Sequence, residues 1–379
     1  MKVTAINISV FDLPSNTALF DLEEVPYGRR TRWQSRGQGR AGSEIHVLHV
    51  LTDEGIEGIC TVGDARYQTM RREELEQLRI MAVGQDPLDR ERLDDKLRFA
   101  ARSMFSRPGW HGAFDNCLWD IAGQAANLPV YALIGRARPR CKVYYNFPSG
   151  SLESAIEGAD RALEMGFTVL KDHWSDTPET NITWSRAMRE HVGPDIELLH
   201  DAASSPYTYD EALHVGRVLE ELDYGWFEEA ISDRDLQGLQ RLCAELTIPV
   251  MALETLMHDY ELSAAWTLAG ATDLIRANAR HGTTAAIKLD HLAEARRTTI
   301  EFNGPGGLFG LVHAHLVCAL KNTTYYEYFP GGSRDELGRE IGLINPPLPS
   351  EGHIAPPDGP GWGAEWDRAY FAKKRVAEW

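Results

Sequence analysis

The sequence contains few cysteines, and their positions exclude two common structural roles. Its five cysteines (Cys60, Cys117, Cys141, Cys243 and Cys318) are scattered over 379 residues and never occur in a C-x-x-C spacing. An odd and dispersed set argues against a disulfide framework and against a zinc site built from thiolates. Several lie in apolar stretches, where we expect them to act as small hydrophobic core residues.

The chain also lacks a surplus of positive charge and a long apolar run. Its formal net charge is −17, whereas a nucleic-acid-binding surface needs Lys and Arg to neutralise phosphates. No apolar run reaches the roughly 18–20 residues that span a bilayer, and the opening MKVTAINISVFDLP is typical of a strand rather than a signal peptide. We therefore expect a cytoplasmic protein with no nucleic-acid partner and no membrane association.

No G-x-G-x-x-G motif opens a helical segment, so the phosphate-binding fingerprint of a dinucleotide fold is missing. Instead, short apolar strands alternate with amphipathic helices from about residue 140 onward. The strand-like segments are KVYYNF, FTVLKDH, ELLHDA, GWFEEA, PVMALE, DLIRANA and a weaker GLFGLVHAH. This alternation implies parallel strands with right-handed crossovers, and so many units in about 200 residues favour a barrel over an open sheet.

The rest of the chain frames this repeating region. Strand-like patterns at residues 1–12 and 44–52, followed by helical patterns, predict an N-terminal α+β domain over residues 1–130. The barrel is expected over residues 131–345. Residues 346–379 are rich in Gly and Pro and are expected to pack back on the first domain.

One segment of the first domain reverses the acidic balance of the chain. YGRRTRWQSRGQGR, residues 27–40, contains five arginines and no acidic residue. Glycines, arginines and aromatic residues together suit a loop that closes over a small anion, and Arg30 and Trp33 are its candidate substrate-binding residues. A solvated surface loop is the alternative interpretation.

The ends of the predicted barrel strands carry the polar residues of interest, because barrel active sites lie at the C-terminal ends of the strands. Lys171 and His173 end the second strand and, being two residues apart, share one face of it. The next three strands end in the carboxylates Asp201, Glu228 and Glu254. Converging carboxylates repel one another unless a cation lies among them, and hard oxygen ligands favour Mg²⁺.

The chain contains, in this order, the segments AFDNCLWDIAGQAANLPVYALIG (113–135), GFTVLKDHW (166–174), LLHDAASS, WFEEAI, PVMALET and APPDGPGWG (355–363). Together they resemble the enolase superfamily, in its mandelate racemase and muconate lactonizing enzyme group. The resemblance implies an α/β fold, a modified TIM barrel (β/α)7β with an N-terminal α+β capping domain. It also implies Mg²⁺ held by Asp201, Glu228 and Glu254, and a symmetric homo-oligomer.

The chemistry implied by the resemblance is abstraction of a proton α to a carboxylate, through an enediolate that the metal stabilises. His173 stands at the second position of the family's Lys-x-Lys strand, where the base is usually a lysine. A neutral histidine can accept a proton near pH 7. Lys171 keeps the first position and is expected to be the electrostatic partner of the enediolate.

The opposite face of the expected site lacks evident acid–base residues. Where racemising members carry an Asp–His dyad, this chain has Asn278 on the sixth strand and Asn303 nearest to the seventh-strand position. His281, just past the sixth strand, could turn into the mouth or lie on the loop surface. Glu327 matches the eighth-strand acid that, when protonated, can hydrogen-bond to a substrate carboxylate, or it is a salt-bridged strand-end acid.

With one evident acid–base group, β-elimination is more economical than inversion, since a single residue can remove the α-proton and then protonate the leaving group. We therefore expect Mg²⁺-dependent dehydration of a small carboxylate substrate, a sugar acid, or ring opening of its lactone or anhydro form. A racemase or epimerase is the alternative. A catalytically silent metal-binding homologue is the second alternative.

Overall fold

The computed structural model describes residues 1–13, 18–40, 43–63, 69–104, 109–203, 205–256, 259–304, 306–330 and 337–379. Its N-terminal part contains five strands and four helices within the described residues. They are β1 (Val3–Leu13), β2 (Ala18–Tyr27), β3 (Arg30–Arg40), β4 (Ser43–Thr52), β5 (Glu57–Thr61), α1 (Arg72–Ala82), α2 (Arg90–Met104), α3 (Trp110–Ala126) and α4 (Val130–Ile134).

Strand and helix then alternate to the end of the barrel. The elements are β6 (Cys141–Asn146), α5 (Leu152–Glu164), β7 (Val169–Lys171), α6 (Pro178–Val192), β8 (Glu197–Asp201), α7 (Tyr209–Glu221), β9 (Tyr224–Glu228), α8 (Leu236–Glu245), β10 (Val250–Ala252), α9 (Tyr260–Ala269), β11 (Leu274–Ala277), the short 3₁₀ helix η1 (Ala279–His281), α10 (Thr283–Arg296), β12 (Ile300–Phe302), α11 (Phe309–Ala319) and β13 (Tyr325–Tyr328). The chain ends with the 3₁₀ helix η2 (Leu337–Ile341), β14 (His353–Ile354), α12 (Arg368–Lys374) and β15 (Arg375–Glu378).

The barrel sheet has the strand order β12-β11-β10-β9-β8-β7-β6-β13, and its ladders are parallel, with β14 added antiparallel to β6. The two ends of this order lie side by side, because the backbone N–H of Tyr325 on β13 donates to the Glu301 carboxylate on β12 at 3.2 Å. The sheet is therefore a nearly closed ring surrounded by helices, which confirms the predicted fold class.

A separate four-stranded antiparallel sheet, in the order β15-β1-β4-β5, forms the cap. The last strand of the chain pairs with the first, with Ser9 opposite Glu378 and Val10 opposite Ala377. The C-terminal residues thus return to the cap. Within the described residues, no helix is long and apolar enough to cross a membrane.

Two local predictions from the sequence were wrong. GLFGLVHAH, predicted as a weak strand, lies largely in helix α11, all eleven residues of which are buried. A helix that is apolar on every side shows no amphipathic period, so its sequence cannot be told from a buried strand. The arginine-rich segment, predicted as a loop, continues as β3 of a two-stranded hairpin with β2.

The barrel interior is filled in layers, as strand alternation requires. An apolar floor is formed by one buried side chain from each of several strands: Tyr144, Val169, Leu199, Trp226, Met251 and Tyr325, with Leu274 packed against them. On the same strands, the residues two positions further towards the C-terminal ends belong to the next layer. That layer is polar, and it contains the candidate active site.

Candidate active site

The polar layer follows directly from the alternation of side chains along the strands. Two residues beyond the floor positions stand Asn146, Lys171, Asp201, Glu228, Arg276 and Glu327, each at most 4% exposed. Such a concentration of buried charge costs free energy unless the charges compensate one another. Their pairings are therefore the central feature of the site.

Two cations and two carboxylates form a closed ring of ion pairs, which we call the charge ring: Lys171, Glu228, Arg276 and Glu327. Lys171 Nζ lies 2.6 Å from Glu228 Oε2 and 3.2 Å from Glu327 Oε1. Arg276 completes the ring, with Nε 2.9 Å from Glu228 Oε1 and Nη2 2.9 Å from Glu327 Oε2. Each carboxylate thus gives one oxygen to each cation.

Two further carboxylates contact the charge ring from outside. Asp201 Oδ2 lies 3.1 Å from Lys171 Nζ, and Glu254 Oε2 lies 3.3 Å from Arg276 Nε. The other oxygen of Asp201 accepts a hydrogen bond from the Ala203 backbone N–H at 2.7 Å, which fixes the direction of the carboxylate.

Glu254 reaches the site through a break in strand alternation. Because Met251 belongs to the floor, regular alternation would turn Leu253 inward. Instead Leu253 has a φ of 89°, a strained value for a non-glycine residue, and Glu254 contacts Arg276. Asp233 holds this turn, since its carboxylate accepts hydrogen bonds from the backbone N–H groups of Leu253 at 2.7 Å and Thr255 at 2.8 Å.

His173 lies at the mouth, above Lys171. Its Nε2 is 3.4 Å from Asp201 Oδ2, and its ring packs against Phe329 with 5.7 Å between ring centroids. The side chain remains 29% exposed, so a molecule in the mouth can reach it. Burial lowers the pKa of His173, and the Lys171 ammonium lowers it further, whereas the Asp201 carboxylate raises it. The net effect is a lowered pKa, which favours the neutral imidazole near pH 7.

The charge ring determines the protonation of Lys171 and Glu327. Burial alone would lower the pKa of Lys171, but the carboxylates of Glu228, Glu327 and Asp201 hold it well above its usual value. Burial would raise the pKa of Glu327, but Lys171 and Arg276 hold it well below its usual range. Lys171 is therefore an ammonium and Glu327 a carboxylate, which favours the salt-bridged interpretation of Glu327 over the protonated one.

The side of the barrel where a dyad would stand carries two amides. Asn278 and Asn303 are both buried, and the Asn278 side-chain amide donates to the Asn303 side-chain oxygen. The Asn278 oxygen also accepts a hydrogen bond from the Arg280 backbone N–H at 2.8 Å. An amide neither gains nor loses a proton near neutral pH, so this pair can orient a substrate but cannot exchange protons with it.

The remaining predicted residues lie around the mouth or outside it. His281 is half-buried at the end of η1. Arg30 is tied to the barrel, since its guanidinium pairs with Glu211 and donates to the Pro206 carbonyl at 3.3 Å. Trp33, on the same hairpin, is 66% exposed.

Sequence reasoning missed three residues of the polar layer and its floor. Arg276 joins three carboxylates, Tyr144 accepts a hydrogen bond from Arg276 Nη1 at 3.2 Å, and Asn146 donates to Glu327 Oε1 at 3.3 Å. Tyr144 and Arg276 gave a weak sequence signal because each sits inside its strand, whereas Asn146 is the last residue of β6 and could have been found as a strand-end polar residue. The two-residue spacing from Arg276 to Asn278 could have found the arginine, by the same argument that found Lys171 from His173.

The donor set fits a divalent cation by its chemistry and its charge. Four carboxylates (Asp201, Glu228, Glu254 and Glu327) face two cations, which leaves a formal charge of −2. Burial and the repulsion of Asp201 raise the pKa of Glu228 well above its usual value in spite of Arg276 and Lys171, which is the expected consequence of this surplus. In the described part of the chain, no three His, Cys, Asp or Glu side chains are already arranged as a metal-binding group. Asp201, Glu228 and Glu254 are each engaged by Lys171 or Arg276, so any of them that served as a metal ligand would have to give up part of that contact.

Two protein-family models match this chain. Residues 36–135 match the model of the mandelate racemase / muconate lactonizing enzyme N-terminal domain, and residues 154–370 match that of the enolase C-terminal domain-like family. The chain is 30% identical to arabinonate dehydratase from Saccharolobus solfataricus over 277 residues, 70% of this chain and 72% of that protein. It is 26% identical to a D-galactonate dehydratase family member from Streptomyces bingchenggensis over 385 residues, 88% and 90% of the two chains.

A solved structure shows the same architecture over the full length. D-glucarate dehydratase from Agrobacterium tumefaciens, crystallised in complex with magnesium, superposes with a TM-score of 0.82 at 28% identity and covers 100% of both chains. The family models together span both the cap and the barrel. The chain belongs to the enolase superfamily, in its mandelate racemase and muconate lactonizing enzyme group.

Proposed function

We propose that this protein is a Mg²⁺-dependent sugar-acid dehydratase in which His173 alone transfers protons. The observation that carries this proposal is the asymmetry of the site. A neutral imidazole faces the mouth from β7, while a hydrogen-bonded pair of amides, Asn278 and Asn303, stands on the side of β11 and β12. The relatives named arabinonate dehydratase and D-glucarate dehydratase support a sugar acid as the substrate.

Asp201, Glu228 and Glu254 are the residues that would hold the metal. When bound, a divalent cation would stabilise the negative charge that develops on the substrate carboxylate as the α-proton leaves, and this makes the α-proton more acidic. The formal charge of −2 on the polar layer matches one such cation. Glu327 forms ion pairs with both Lys171 and Arg276, and we propose that it holds these two cations in place.

The reaction proceeds in two proton transfers at one group. His173 removes the α-proton, and the electron pair of the broken C–H bond forms the enediolate, whose negative charge lies near the Lys171 ammonium. The β-C–O bond then breaks, and the departing hydroxyl takes the proton from His173 and leaves as water. The resulting enol takes a proton from solvent at C3 and releases its hydroxyl proton at C2, which gives a 2-keto-3-deoxy acid.

The same geometry disfavours the alternative of a racemase or epimerase. Inversion requires a second proton-transfer group on the opposite face of the enediolate, and an Asn–Asn pair does not supply one. Ring opening of a lactone or anhydro sugar acid remains a second candidate, because it also needs a single group on the face of the leaving oxygen.

The hairpin of β2 and β3 places polar residues near this mouth. The Tyr27 hydroxyl donates to the Asp176 carbonyl at 3.2 Å, and the Arg32 guanidinium donates to the Ser175 carbonyl. Both carbonyls belong to the loop that follows His173, so the hairpin of β2 and β3 is fastened beside the base. We propose that this hairpin, with Arg30 and Trp33, borders the substrate. Homo-oligomerisation and a cytoplasmic location stay predictions.

The test is turnover of a panel of aldonic and aldaric acids in D₂O, followed by ¹H NMR, with the metal-stripped protein and with added Mg²⁺. A dehydratase gives a 2-keto-3-deoxy acid carrying solvent deuterium at C3, only with Mg²⁺. Exchange with inversion of the recovered acid would instead identify an epimerase. Lack of exchange and of product with every acid would favour a silent homologue.

A further inference from the structure

Arg276 is one of the two buried cations of the polar layer. Its side chain is 1% exposed and lies between three carboxylates: Glu228 at 2.9 Å, Glu327 at 2.9 Å and Glu254 at 3.3 Å. A fourth contact, Nη1 to the Tyr144 hydroxyl at 3.2 Å, ties the guanidinium to the barrel floor. One side chain thus links three strands, β6, β9 and β13, and the turn after β10.

The chemical form of this side chain suits it to hold ligands in place. A guanidinium is planar, always charged, and offers several donors in a fixed geometry, whereas an ammonium is a point charge on a flexible stem. Nε contacts both Glu228 and Glu254, the proposed ligands from neighbouring strands β9 and β10. Arg276, whose Nη1 is bound to the floor, thus contacts both of these carboxylates at once.

We propose that Arg276 is a positioning residue of the metal site, which holds Glu228 and Glu254 at a fixed spacing and thereby selects Mg²⁺ over the larger Ca²⁺. This inference rests on the proposed function in taking these two carboxylates as ligands. Mg²⁺ requires a compact octahedron, while Ca²⁺ accepts more ligands in looser geometry. A ligand pair held rigidly by an outer partner favours the smaller ion, and a released pair loses that preference.

The competing role is that of a counter-ion that merely keeps the buried carboxylates compatible with folding. In that case, loss of Arg276 lowers stability and does not alter the preference between two ions of equal charge. The ratio of Mg²⁺ to Ca²⁺ affinity therefore separates positioning from charge compensation, because both ions carry the same charge and differ in size.

The experiment is calorimetric titration of the metal-stripped full-length protein with Mg²⁺ and with Ca²⁺, without substrate. Arg276→Gln is compared with wild type, and Arg276→Lys tests whether charge alone restores the site. The matched control is Arg138→Gln, because Arg138 lies near the start of β6, at the opposite end of the barrel, and donates to the carbonyls of Val317, Lys321 and Thr323 at 2.7–3.0 Å.

We expect Arg276→Gln to weaken Mg²⁺ binding by about 10–100-fold, the usual effect of removing an outer partner of a ligand, and to weaken Ca²⁺ binding much less. Arg276→Lys should fold as wild type but recover only part of the Mg²⁺ preference. Arg138→Gln should lower the melting temperature and leave both affinities unchanged.

An unchanged ratio of Mg²⁺ to Ca²⁺ affinity in both Arg276 variants would overturn the inference, as would wild-type protein that binds neither ion. If Arg276→Gln does not fold, the Arg276→Lys ratio decides. Failure of the proposed function looks different: wild type would then bind Mg²⁺ with the predicted preference and still turn over no sugar acid.

Discussion

Replacing Lys171 with methionine is expected to destabilise the metal-stripped protein strongly. The ammonium lies within 3.2 Å of Asp201, Glu228 and Glu327 and is completely buried. Methionine fills a similar volume but removes the positive charge, so the polar layer changes from a formal −2 to −3. Removal of one partner of a buried ion pair costs about 3–5 kcal/mol, since the other charge stays buried without compensation.

The corresponding change in melting temperature can be worked out from chain length. Unfolding entropy is about 2.1 cal/mol/K per residue near 60 °C, which gives about 0.8 kcal/mol/K for a cooperative transition of 379 residues. A loss of about 3–5 kcal/mol therefore lowers the melting temperature by about 4–6 °C. Scanning calorimetry of the metal-stripped protein measures this directly.

The matched control is Lys142→Met on the neighbouring strand β6. Lys142 Nζ lies 3.7 Å from Glu197, and its side chain is 41% exposed. A surface pair of this kind contributes about 0–1 kcal/mol, so the control should melt within about 1 °C of wild type. If Lys171→Met melts no lower than Lys142→Met, the charge ring is not the source of stability in the polar layer and the reasoning fails.

Three further predictions concern pH, metal and ligand geometry. Because the pKa of His173 is lowered, kcat/KM with Mg²⁺ should stay constant down to about pH 6.5 and fall only below that pH, as the imidazole becomes protonated. A loss of kcat/KM that already begins above pH 7 would contradict this prediction. Because the pKa of Glu228 is raised on folding, the metal-stripped protein should lose stability as the pH rises above the ordinary carboxyl range. The gain in melting temperature from Mg²⁺ should therefore be larger at pH 8 than at pH 6. Equal gains at the two pH values would argue against Glu228 as a ligand. Asp233→Ala should release the strained turn at Leu253 and weaken Mg²⁺ binding by about tenfold or more, measured by calorimetry, while Asp235→Ala, which removes only the N-cap of α8, should leave it unchanged.

The sequence predicted the parts of the site that obey strand periodicity. Asp201 and Glu228 are the last residues of their strands, and Lys171 lies one alternation step below His173, so their shared direction follows from the two-residue repeat. Glu254 was identified for the right strand, but its inward direction depends on the strained backbone of Leu253, which the sequence does not show.

Other features depend on tertiary contacts that local patterns do not contain. Arg276 stands in LIRANA, where an arginine in a short apolar run reads equally well as a strand edge facing solvent. Strand β12 has three residues and is held in place by its neighbours β11 and β13, while the apolar helix α11 conceals its own period. The hairpin of β2 and β3 is stabilised by pairing across the two strands, which overrides the low strand propensity of its glycines.

The central claim is that His173 is the proton-transfer group of a one-sided site. Its most direct test is the rate of α-proton exchange in D₂O, followed by ¹H NMR on a turned-over sugar acid with saturating Mg²⁺, for wild type, His173→Gln and the surface control His191→Gln. His191 pairs with Asp160 on the outside of the barrel at 2.7 Å, so its variant should exchange at the wild-type rate. We predict that His173→Gln loses exchange and dehydration together, by about 10²–10⁴-fold, the usual contribution of a general base. Exchange by His173→Gln within tenfold of wild type would show that another group removes the proton and would contradict the account.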